Sequence, residues 1–260
     1  MAKNRDSGVS NRAAGSTEDL FAKWVEEEEQ EEREQQKRLR ERRNAEIEGA
    51  QTVDELKDFM GKNYFVEVSD DFNRYDLDAA KAYIQEASEM IDEFPILRST
   101  ITRFGDNINR KGVYGAASSS GNVSFNIESM QSLKKADAMF KRNVKSGLHP
   151  EGTSAVNGVS HELGHMLELA IIKKTYGERS KEVAWLSHTV GKDIVASAMS
   201  RLPSSSGKES GKPISDISSY AMHDASETVA EAVSDYRANG ERAKPLSREI
   251  WRELKNRLRS

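Results

Sequence analysis

Apolar positions divide the chain into two regimes. From Leu20 to about Ala50 they are sparse and follow no helical seam, whereas from Gln51 onward they recur at regular spacings. Leu77, Ala80, Ile84, Ala87, Ile91 and Phe94 mark one face of a helix that Pro95 stops. Tyr64 to Val68 reads as a short strand, and Ile96 to Phe104 as β-like. Gly112–Ala117 and Asn122–Ile127 read as a hairpin around Ser118-Ser119-Ser120-Gly121. In its second arm Val123, Phe125 and Ile127 face a core, and Ser124 and Asn126 face away. Residues 128–145 predict a helix with Met130, Leu133, Phe140 and Val144 inward. Residues 178–200 predict another, with Val183, Leu186, Ile194 and Val195 inward. A last helix, Arg248 to Arg259, presents Ile250, Trp251, Leu254 and Leu258. The expected class is α+β, a small mixed sheet with an edge hairpin packed on helices over residues 51–260.

Charge changes the picture at the N-terminus. Residues 1–15 are polar and read as disordered. Ser16-Thr17-Glu18-Asp19 resembles a helix start, so residues 16–50 form a charged helical extension. Its acidic half, Glu26 to Glu34, precedes a basic half, Lys37 to Arg43, which suits the helix dipole and allows Glu-to-Arg pairs four apart. It lacks the apolar a and d positions of a coiled coil. A solvated extension is the favoured reading, and an arm for a protein partner the sharper one. A net charge of −4 points to neither nucleic acid nor a membrane surface. The absence of cysteine excludes disulfides and thiol chemistry. No apolar run suits a bilayer span or a secretory signal. Arg201 to Ser215, rich in Ser, Gly and Lys, reads as a mobile surface loop.

The chemistry concentrates in Val156 to Ala170. Val156, Val159, Leu163, Leu167 and Ala170 form an apolar stripe with helical period. His161-Glu162-Leu163-Gly164-His165 lies within it. The two histidines are one turn apart and share a face, so both rings can bind one zinc ion, with Glu162 in reach of its water. Gly164 permits close approach by another backbone or by substrate. His149, in the loop before this helix, and His188, after it, read as loop and structural residues.

A catalytic zinc needs a third protein ligand. Glu168 and Ile171 occupy the positions at which the extended motif has Gly and His, so that version is excluded. Glu227 is the best candidate, with His223 and Glu182 as weaker ones. Glu231 shares the Glu227 face and can accept a hydrogen bond from a ligand histidine. Against this, Asp224 and Glu227 have the spacing of a capping box, and Glu231 fits a solvated position.

His161-Glu162-Leu163-Gly164-His165, followed by Tyr220 and by Glu227-Thr228-Val229-Ala230-Glu231, resembles the gluzincin metallopeptidases. The similarity is to the type of the anthrax lethal factor catalytic domain and of the small zinc-peptidase-like proteins of phages and mobile elements. The tyrosine seven residues before the glutamate ligand and the second glutamate four after it recur here. The loop His149-Pro150-Glu151-Gly152-Thr153 looks like the phage-type members. The resemblance implies a zincin-like fold and one zinc held by His161, His165 and Glu227. It also implies hydrolysis of protein or peptide bonds, with Glu162 as general base and Tyr220 stabilising the oxyanion. The implied location is a bacterial cytoplasm or a phage particle. A zinc-stabilised structural or interaction module with little hydrolysis is the second reading. A third is a protease whose cleft is covered by the Arg201–Ser215 loop or the N-terminal arm.

Overall fold

Helix α1 (Thr17–Gly49) carries the charged run. The computed structural model describes residues 17–203 and 213–259. The segment 1–15, Ser16, and residues 204–212 of the Arg201–Ser215 loop lie outside them. The chain forms two compact units, the first ending at Ala45 and the second beginning at Glu46. The boundary therefore falls five residues before the expected Gln51. The reason is that Ile47 and Ala50 are already buried in the core of the second unit. Within α1, Glu34 meets Arg38 at 3.5 Å and Lys37 meets Glu41 at 4.0 Å, both exposed and four apart.

The second unit is α+β. Thr52 caps α2 (Val53–Tyr64) by accepting the Glu55 N–H. Strand β1 is only Glu67–Val68, because Tyr64 closes α2 and Phe65 turns the chain with φ 60°. Helix α3 (Leu77–Glu93) has the predicted span and buries Ala80, Ile84, Ala87 and Ile91. The β-like reading of Ile96 to Phe104 is corrected. Leu97–Thr100 is a single helical turn, α4, and strand β2 runs from Arg103 to Asn107. A short apolar run cannot by itself separate a buried turn from a strand.

The hairpin forms from β3 (Gly115–Ala117) and β4 (Asn122–Phe125), with Gly115 opposite Phe125 and Ala117 opposite Val123. Gly121 turns it with φ 89°. The strand stops at Phe125. Asn126 is buried rather than outward, and its amide donates to Arg110 O at 3.0 Å. Ile127 begins α5 (Ile127–Met130), so the helix expected over 128–145 is two pieces, α5 and α6 (Leu133–Lys145). Of its four expected inward residues, Met130 and Phe140 are fully buried and Leu133 and Val144 partly so. The sheet order is β1-β2-β4-β3, parallel except for the antiparallel edge strand β3.

Helix α7 (Ala155–Leu186) runs through the middle and breaks at Gly177, where φ is 72° and ψ 174°. Its first half is buried on nearly every face, since α3, α9 (Ala225–Asn239) and β3 all pack on it. Beyond the break the prediction fails at two positions. Val183 is 73% exposed and Leu186 70%, while Ala184 is buried. The single helix expected over 178–200 is broken at Ser187–His188, where His188 has φ 52°, so Val183 and Leu186 lie on a different segment from Ile194 and Val195 and do not share their buried face. Helix α8 (Thr189–Ser200) buries Ile194 and Val195 as expected, and α10 (Pro245–Arg259) docks through Ile250, Trp251 and Leu254. No helix among the described residues is long and apolar enough to cross a membrane.

Gly164 sets the α7–α9 distance. A β-carbon there would lie 2.9 Å from Ala230 Cα and 3.2 Å from Val233 Cβ, so the close approach is to a backbone. Gly164→Val should therefore force the helices apart and cost about 1–3 kcal/mol of stability. Thermal unfolding of the variant beside wild type measures this, and an unchanged melting temperature would contradict it.

Candidate metal centre

Two elements bring the polar residues together. α7 supplies His161, Glu162 and His165, whose imidazole rings lie 5.0 Å apart. The first turn of α9 supplies Glu227. Asp224 caps that helix, accepting the Ser226 N–H at 2.8 Å and the Glu227 N–H at 3.0 Å. The cap is real, yet the Glu227 side chain does not turn back to complete a box. Its Oε2 lies 3.1 Å from His161 Nε2 and 3.5 Å from His165 Nε2. The ligand-type atoms of His161, His165 and Glu227 all lie within 4.8 Å of one another. The weaker third candidates are elsewhere: Glu182 is exposed, and His223 faces an adjoining cavity with its ring 5.6 Å from that of Tyr220.

The donor set can be tested for a cation. Glu231 is 1% exposed and its Oε1 lies 2.9 Å from His161 Nδ1. An ionised carboxylate only accepts, so that nitrogen carries the ring proton and Nε2 is a bare lone pair in the neutral ring. Glu227 Oε2 is buried without a hydrogen-bond partner. Two lone pairs facing each other at 3.1 Å require positive charge between them, either a second ring proton or a metal. Ligand atoms ~2.1 Å from a tetrahedral zinc are roughly 3.4 Å apart. The observed 3.1 and 3.5 Å lie on either side of that spacing. These two spacings suit a cation shared by His161, His165 and Glu227.

Electrostatics agree. Burial opposes a charged His161, but the Glu227 and Glu231 carboxylates facing its two ring nitrogens outweigh burial and raise its pKa well above the usual imidazole value. His165 is raised too, against burial, chiefly by Glu227. Burial would raise both glutamates, but the histidines hold Glu227 far below the carboxylate range and bring Glu231 down to about 2. Burial pushes Glu162 up, with the histidine charges pulling it back. Tyr220 is pushed up by burial and by Glu227, so its phenol keeps its proton.

These directions fix a pH dependence. Without metal the imidazoles stay protonated to higher pH than usual, and a metal must displace those protons. Zinc affinity should therefore fall as pH falls, beginning above the ordinary imidazole pKa of about 6.5. The slope should be roughly one to two decades per pH unit. Competition with a chromogenic chelator across this range measures it; an affinity flat in pH would contradict the site.

Further residues join the cluster, among them Ser218 and Gly115, which the sequence did not single out. Ser218 Oγ donates to Glu231 Oε2 at 2.7 Å, and His149 Nδ1 lies 3.3 Å from Glu231 Oε1, so Glu231 serves three partners. The one available signal for Ser218 is its place two residues before Tyr220, where it accepts the Ala221 N–H at 3.0 Å. Tyr220 opens a short 3-10 turn, with its hydroxyl 3.5 Å from Glu227 Oε1. Gly115 on β3 faces Glu162 so closely that any β-carbon there would collide with its carboxylate. Two cavities meet at His161 and Glu162. One, about 390 Å³, is walled by Tyr114, Phe140 and Leu148; the other, about 230 Å³, by Trp185, His188 and Asp224. His188 thus borders the cleft rather than serving the core alone. The chain matches no protein-family model, and no curated protein and no solved structure matches it.

Proposed function

We propose that the chain is a zinc-dependent endopeptidase with a zincin-like catalytic unit. The observation that carries the reading is Glu227 Oε2, a buried oxygen without a hydrogen-bond partner, facing both histidine Nε2 atoms. His161, His165 and Glu227 would hold the metal. Bound zinc would supply Lewis acidity, lowering the pKa of a water toward about 7 and polarising the substrate carbonyl.

The chain's own residues do the rest. Glu162 takes a proton from the water as the water oxygen attacks the carbonyl carbon. It returns that proton to the amide nitrogen as the C–N bond breaks. The Tyr220 hydroxyl donates to the carbonyl oxygen as negative charge builds there. Strand β3 is one of the two sheet edges, with no strand on its outer side among the described residues, and its Gly115 borders Glu162. An extended peptide adding to that edge would run past the base, which favours protein or peptide as substrate.

Digestion of a broad peptide library by the full chain tests the reading. Cleavage that stops on chelation and returns with zinc is the expected result. One bound zinc with no cleavage would replace it by the zinc-stabilised module.

A further inference from the structure

Each ligand histidine turns Nε2 toward Glu227, so what holds its Nδ1 decides where the ring proton sits. His161 Nδ1 has a carboxylate, Glu231, at 2.9 Å. His165 Nδ1 has instead a hydroxyl, Ser226 Oγ, at 3.5 Å. That hydroxyl makes a very short hydrogen bond to Glu168 Oε2. The other Glu168 oxygen accepts the Gly191 N–H at 2.9 Å. Glu168 is buried on α7, Ser226 is on α9 beside Glu227, and Gly191 is on α8. The carboxylate therefore stands where the three helices meet, one turn from His165.

We infer that Glu168 is a positioning residue for His165, acting through the Ser226 hydroxyl to keep the ring proton on Nδ1 and Nε2 bare for the metal. The inference rests on the metal-site reading above. Its chemistry is proton counting. A serine hydroxyl has one proton to donate. Burial raises the Glu168 pKa, while the Ser226 hydroxyl, the His165 charge and the Gly191 N–H favour its ionised form. An ionised carboxylate only accepts, so Ser226 commits that proton to Glu168 and offers a lone pair to His165 Nδ1–H. The ring is then in the tautomer a metal needs.

Glu168→Gln reverses this at constant size. The Gly191 N–H still requires an acceptor, so the amide oxygen stays toward it and the amide NH₂ faces Ser226. The Ser226 proton is released toward His165 Nδ1, and the ring proton moves to Nε2, on the metal side. Zinc affinity of the full chain, read by chelator competition, should fall roughly 10–100-fold, as for other outer partners of metal-binding histidines. Long-range proton–nitrogen NMR of metal-free protein, at alkaline pH where the rings are neutral, should find His165 protonated at Nδ1 in wild type and at Nε2 in E168Q. A merely structural role would leave the tautomer alone.

Ser226→Ala keeps the Glu168–Gly191 bond and removes the relay, so it should also weaken zinc; it carries the test if E168Q does not fold. Wild-type affinity in both variants, or one tautomer throughout, would overturn the inference. Wild type without zinc affinity would instead sink the metal reading, while the tautomer comparison would still judge the relay.

Discussion

Glu162→Gln should retain one zinc per chain and lose turnover by roughly 10²–10⁴-fold. Glu162 lies between the two histidines on α7 but outside the group of His161, His165 and Glu227 that can share a metal. Its carboxylate is nearly enclosed, against Gly115 of the edge strand. Glutamine has the same size and fills the same space, so packing and metal content should not change. It cannot take a proton from water, and that capacity alone is lost. Peptide cleavage measured beside metal content separates the two effects. A fully active E162Q would make the mechanism wrong.

Glu227→Ala should remove the metal itself. The expected loss of affinity exceeds the 10–100-fold seen when an outer partner is removed, and stoichiometry should fall from one zinc per chain toward none. Folding should survive, because the cap on α9 is supplied by Asp224 and not by Glu227. Mass spectrometry of wild type and variant purified together gives the answer. Zinc unchanged by the mutation would move the third ligand elsewhere, with His223 tested next.

The grouping of His161, His165 and Glu227 was more legible than the fold around it. His161 and His165 share a face by helical geometry alone, and Glu231 four residues after Glu227 had to share its face. The choice of Glu227 over His223 and Glu182 was not fixed by spacing, since it depends on how α9 crosses α7. Gly164 marked that crossing without naming its partner, Ala230. Elements with long unbroken periods, such as α3, were read closely. Errors fell where a local event reset the pattern. Phe65 ended a helix inside an expected strand, Asn126 ended a strand inside an expected arm, and the turn at His188 separated Val183 and Leu186 from the buried face of α8. Ser218, Ser226 and Glu168 were missed because small polar residues and a lone buried acid carry no periodic signal.

The break at Gly177 also separates two jobs along the chain. The ligands are held by the contact of α7 with α9, close to Gly164 and Ala230. The segment after the break returns toward them and sets Trp185 beside His165, with ring centres 6.2 Å apart, and His188 at the cleft wall. Most of that segment is exposed and contributes little to the core. It can therefore drift in sequence, lengthen or be exchanged at small cost to stability. Under the proposed peptidase reading, evolution or a protein engineer would have freedom to reshape which peptides are admitted while His161, His165 and Glu227 stay where they are.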